Sequence, residues 1–174
     1  MQAMPKTATT MQWDAKGASH HLGYEIQMFF GMVSLLRAWA KLSNPGMDGN
    51  AFLESFVIHL RNLVDFFFPR PNSRSTDITV GNFFEGSGKS WVPPAGSFLL
   101  QDAAALQKLR KRADREIAHL TLHRLYVAPA EKPWDREKLA SEIHLLVTEF
   151  VKQVPQIDSL DKDFLATLKD FDLR

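Results

Sequence analysis

Arg112, Glu116, His119 and His123 follow one another at spacings of four, three and four. On a helix turning about 100° per residue they fall within about 60° of one another, one polar stripe two to three turns long. An imidazole can give or take a proton near neutral pH, and a neighbouring guanidinium can stabilise charge on a phosphate oxygen. Arg115 flanks the stripe, and Lys108 to Arg124 holds six Lys/Arg against Asp114 and Glu116, a local excess of four positive charges. The same residues would also suit a solvated basic face on which Arg112 and Glu116 pair at i,i+4.

A second line consists of Glu54, Arg61 and Asp65, spaced seven and four apart and spread over about 40°. Its surroundings are apolar, from Phe52 to Phe67, and a lone charge there would be costly. An ion-pair chain centred on Arg61 is expected. Such a chain could simply fix helix register, or it could orient His119 or His123 as a support to an acid-base group. His59 lies off this line and reads as a satisfied core histidine.

The segments Asn50 to Phe67 (NAFLESFVIHLRNLVDFF) and Leu109 to Thr121 (LRKRADREIAHLT) resemble uncharacterised bacterial all-helical proteins similar to the HEPN superfamily. The resemblance covers the second and third predicted helices and their connection. It implies a small helical bundle, commonly dimeric, and a metal-independent ribonuclease or a nucleotide-binding protein of toxin, abortive-infection or defence type, with a cognate antitoxin as a partner. The mark of that superfamily, an Arg and a following His with four to six residues between them, is met by Arg112 and His119 with six between, and Ala113 stands where a polar residue usually follows the Arg. By that resemblance Arg112 and His119 are the catalytic pair, supported by Glu116, His123, Arg115, Glu54, Arg61 and Asp65. The other reading is a noncatalytic helical interaction or dimerisation protein.

Other chemistries find less support. Glu116-x-x-His119 is one Glu-x-x-His element, whereas a bundle di-iron site needs two and further carboxylates. No metal and no cofactor are expected. Gly86-Ser-Gly-Lys-Ser90 lacks the leading glycine of a P-loop, and Val92-Pro-Pro blocks the helix that should follow. With no cysteine among 174 residues, disulfide scaffolds and thiolate chemistry are excluded.

Positioning such stripes is a task for helices, and the apolar residues supply the period. Helices are expected over His20 to Lys41, from Asp48 to Phe67, over Phe98 to Leu125, over Trp134 to Val154, and over Ser159 to Phe171. Pro69 to Ser97, with four prolines and four glycines, reads as a long irregular connection that allows at most a minor strand. Its Phe83, Phe84 and Trp91 could stack on bases or anchor the connection to the core. The sum is an all-α, up-and-down four-helix bundle with a short C-terminal capping helix, one domain over 19–174 behind a disordered leader at 1–18. That leader lacks the marks of a targeting signal, and Ile26 to Trp39 is too short and interrupted to span a bilayer, so a cytoplasmic homodimer without membrane contact is expected. The formal net charge of +1 excludes broad coating of nucleic acid, but it averages the basic stretch with a tail, 131–174, of ten acids and seven bases. A small, local site for RNA or a nucleotide is still permitted.

Overall fold

The computed structural model describes residues 13–41, 46–117 and 133–173. Those residues are all-helical, with no strand among them. The α-helices are α1 (Ala15–Trp39), α2 (Gly46–Phe67), α3 (Phe98–Gln101), α4 (Ala103–Ile117), α5 (Arg136–Gln153) and α6 (Lys162–Asp170). None is long and apolar enough to cross a membrane.

Asp14 caps α1, which begins at Ala15, five residues before the expected His20: the Asp14 backbone is extended and its side chain accepts from the Lys16 amide at 3.0 Å. Part of the expected leader is therefore helical, and Ala18 is buried. Leu22, Ile26, Phe29, Val33 and Leu36 alternate by four and three and are all buried, the stripe that faces the rest of the molecule. At the far end the Leu36 carbonyl accepts from the Ala40 amide at 3.0 Å and, as a second donor, from Arg136 Nη1 at 3.1 Å, which ties the end of α1 to the start of α5.

Phe56, Leu60, Leu63 and Phe67 bury α2, and Phe56 stacks on Phe29 with centroids 5.2 Å apart. This helix is not apolar all round, because Glu54, Ile58 and Asn62 lie on an exposed strip. The expected third helix is two. Asp102 leaves helical geometry (φ −125°, ψ 92°), and its side chain accepts from the Ala105 amide at 3.0 Å, so it ends α3 and caps α4.

The connection after α2 is anchored at three points. Val80–Phe84 forms a 3-10 turn that sets Phe83 and Phe84 against Phe150 of α5, centroids 5.4 and 6.4 Å away, and Trp91 joins them at 6.3 Å. Phe150 is fully buried, worth roughly 2–3 kcal/mol by area alone. These aromatics are thus core anchors. No strand forms at Trp91-Val92; instead the Gln153 side chain donates to the Val92 carbonyl (2.8 Å) and accepts from its amide (3.1 Å), as a neighbouring strand would. Buried Glu142 of α5 accepts from the Ser97 hydroxyl and from the Phe98 amide at 3.2 Å, holding the start of α3. Between the first two anchors, Gly86 and Gly88 take left-handed φ of 71° and 70° in an exposed turn.

α6 closes on α1. Asp161 caps it, accepting from the Asp163 and Phe164 amides at 2.9 and 3.4 Å, and gives its own amide to buried Ser19 Oγ at 2.9 Å. A Cβ on Gly23 would stand 3.0 Å from the Phe164 Cα, so glycine is what lets the two backbones approach.

Candidate functional site

The expected ion-pair chain exists, but it is wider than the sequence line and recruits a different helix. Arg61 Nε lies 4.0 Å from Asp65 and 3.0 Å from Asp114 of α4. Arg70, just past Pro69, bridges the same two acids, with Nε 3.0 Å from Asp65 and Nη1 2.9 Å from Asp114. Arg110, with only 6% of its side chain exposed, places Nε 3.0 Å from Asp65. Its Nη2 also donates to the Phe68 carbonyl, at the C-terminal end of α2 where a cation is favoured. Three guanidiniums thus share two carboxylates and leave one positive charge over. Hydrogen bonds from Arg70, with Arg61 and Arg110 nearby, hold the Asp114 carboxyl below its usual range; bonds to Asp114 and Asp65 in turn raise the Arg70 guanidinium.

Glu54 is not in the network; it is exposed and makes no ion pair among the described residues. Arg70 and Asp114 gave no pattern to find. Arg110 did: with Leu106 and Ala113 it falls on the inward face of α4, where an arginine must find acids.

The Arg112 stripe is only partly within view. The Arg112 guanidinium lies over the Trp134 ring, 3.9 Å from its centroid, with Nη1 3.3 Å from the Pro133 carbonyl. Arg115 Nε donates to the Lys111 carbonyl one turn back, at 3.0 Å. Glu116 belongs to α4, but its side chain, and His119 and His123 entirely, lie outside the described residues.

An open cavity of about 640 Å³ adjoins the network, within the range of small-ligand sites. It lies between α1, α2 and the 70–79 stretch. Arg61, Arg70 and Arg74 line it together with the acids Glu25, Asp65 and Asp77 and with Asn62 and His21. Arg61 is 42% exposed and meets its acids through Nε, while the Arg74 guanidinium has no acid partner among the described residues. Glu25 Oε2 takes His59 Nδ1 at 2.7 Å and Asn62 Nδ2 at 3.0 Å. His59 is therefore a satisfied buried histidine, but its partner is a wall of the cavity.

At the α1–α6 contact, His20 Nδ1 stands 3.3 Å from Asp161 and 3.8 Å from Asp163. These three could offer one ligand atom each to a cation, all within 4.8 Å of one another. Asp161 already serves as the α6 cap, and the cluster is accounted for by that cap and the His20–Asp161 hydrogen bond between α1 and the start of α6. No family model, curated protein or solved structure matches this chain.

Proposed function

We propose that the chain is a HEPN-like helical domain that binds RNA or a nucleotide through phosphate, of the toxin or defence type, and that it acts as a homodimer. The observation that carries the proposal is the cavity lined by Arg61, Arg70 and Arg74 beside a network with three guanidiniums and two carboxylates. Guanidiniums match phosphate geometry, and Arg61 and Arg74 retain donors for it. If the domain is a metal-independent endoribonuclease, His119 serves as general acid or base at a ribose 2′-hydroxyl or a leaving 5′-oxygen, and Arg112 stabilises the phosphate charge. The test is anisotropy of a labelled single-stranded RNA across a salt series, with cleavage followed in parallel. Arg61→Ala/Arg74→Ala should weaken binding about tenfold and flatten its salt dependence; binding unchanged in that variant overturns the reading. His119→Ala should retain binding and lose cleavage, and equal cleavage by the two proteins removes the catalytic role.

The second reading, a noncatalytic interaction or dimerisation bundle, draws on the outward side of α1. Tyr24, Gln27, Ser34, Leu35 and Ala38 are all exposed there, and none is charged. Sedimentation of the intact chain separates a solitary noncatalytic monomer from either dimeric form.

A further inference from the structure

We infer that Glu25 is the group that reads the sugar of the ligand, accepting a hydrogen bond from a ribose hydroxyl, and that His59 and Asn62 hold it in place for that task. This rests on the nucleotide-phosphate reading of the cavity. The Glu25 carboxylate is fixed from one side only: His59 Nδ1 and Asn62 Nδ2 both address Oε2, and Oε1 accepts nothing among the described residues. The side chain is 24% exposed and lines the same cavity as the three arginines. His59 is 7% exposed and packs edge-on against Tyr24, centroids 5.6 Å apart, so the imidazole that orients the carboxylate is itself fixed by packing.

The chemistry of the cavity narrows what Glu25 can accept. A ligand must present an anion to Arg61 and Arg74 and a hydrogen-bond donor to Glu25. A second anionic group beside Glu25 would meet a like charge. Of the two other acids on the lining, Asp65 is already bonded by Arg70 and Arg110 and Asp77 by the Arg74 amide, so a cationic donor would compete with guanidiniums already in place. A neutral hydroxyl meets neither obstacle, and a nucleotide carries it at a fixed distance from its phosphate. Carboxylates recognise ribose hydroxyls in dinucleotide sites on unrelated folds, and the 2′-hydroxyl is the group that distinguishes RNA from DNA. An acceptor held by two side chains loses little freedom on binding, the advantage of a supported site.

The test is calorimetric titration of the full chain with uridine 5′-monophosphate, 2′-deoxyuridine 5′-monophosphate and inorganic phosphate. Wild type should prefer the ribonucleotide about tenfold. Glu25→Gln should bring the two nucleotides to within about twofold without weakening phosphate binding. His59→Phe and Asn62→Ala should each reduce the ribose preference, although neither residue need touch the ligand. Equal binding of both nucleotides by wild type, with loss of both in Arg61→Ala/Arg74→Ala, overturns the role of Glu25 and leaves the phosphate reading standing. A preference that survives Glu25→Gln also overturns it. Binding of neither nucleotide nor phosphate overturns the phosphate reading itself. Because the ribose preference of wild type needs no variant, a Glu25→Gln chain that fails to fold is replaced by Asn62→Ala, at an exposed position.

Discussion

Asp114 Oδ2 of α4 receives Arg70 Nη1 at 2.9 Å, joining a residue three positions past the end of α2 to the last turn of a helix 44 positions later in the chain. Because Arg70 also bonds Asp65, one guanidinium ties α2, the start of the connection and α4 together.

That tie should be visible in the pH dependence of stability. The Asp114 carboxyl is held below its usual value by Arg70 first and by Arg61 and Arg110 in addition. The unfolded chain therefore binds the proton more readily, and the stabilisation is present above about pH 4 and lost as pH falls through the lower native value. Asp114→Asn should cost about 1 kcal/mol at pH 7, as expected for a partly exposed network, and should flatten the acid limb of a urea-midpoint profile. An unchanged acid limb would remove Asp114 from the titrating groups that matter.

Arg110 should cost more. It is buried, pairs with Asp65 and serves the Phe68 carbonyl, so Arg110→Ala leaves both acceptors short of a partner. A loss of about 3 kcal/mol in chemical denaturation is expected, against less than about 1 kcal/mol for exposed Arg115→Ala. Equal losses would show that burial of the network does not set its strength.

Two glycines on one helix should respond in opposite directions. A Cβ at Gly23 meets the Phe164 backbone at 3.0 Å, whereas one at Gly31 meets nothing within 4 Å. Gly31→Ala should raise stability by about 0.5–1 kcal/mol through helix propensity. Gly23→Ala should lower it by about 1–2 kcal/mol as α6 is pushed away. Thermal melts of the two variants, measured at one protein concentration, decide this.

The connection should loosen from Gln153. Gln153→Ala removes two hydrogen bonds to Val92, expected to cost about 1–2 kcal/mol and to speed amide exchange near Val92. Phe150→Ala should cost about 3–5 kcal/mol and change Trp91 fluorescence, since Trp91 packs on that ring. Loss of the Trp91 signal in Gln153→Ala, with no change in Phe150→Ala, would reverse the order of the anchors.

The helices were legible because Leu22, Ile26, Phe29, Val33 and Leu36, and likewise Leu139, Ile143, Leu146 and Phe150, repeat at the helical period and are buried. Their boundaries were less so. Asp14 and Asp102 are caps whose side chains compete locally with the helix ladder, and an apolar period that runs on across Asp102 hides the break. Arg61 and Asp65 were legible as a pair because charge within an apolar helix needs partners. Arg70 and Asp114 were not, since they reach the pair only once α2 and α4 lie side by side. Glu25 carried no local signal either: its partners, His59 and Asn62, are 34 and 37 residues away.

The left-handed turn at Gly86 to Gly88 stands between two separately fastened stretches, Phe83-Phe84 on one side and Trp91-Val92 on the other. Added chain there needs no new contact and disturbs neither fastening, since loop closure grows dearer only slowly with length. A peptide tag or a small fusion partner inserted after Ser87 would therefore leave the fold intact, which makes this turn a natural attachment point for a label.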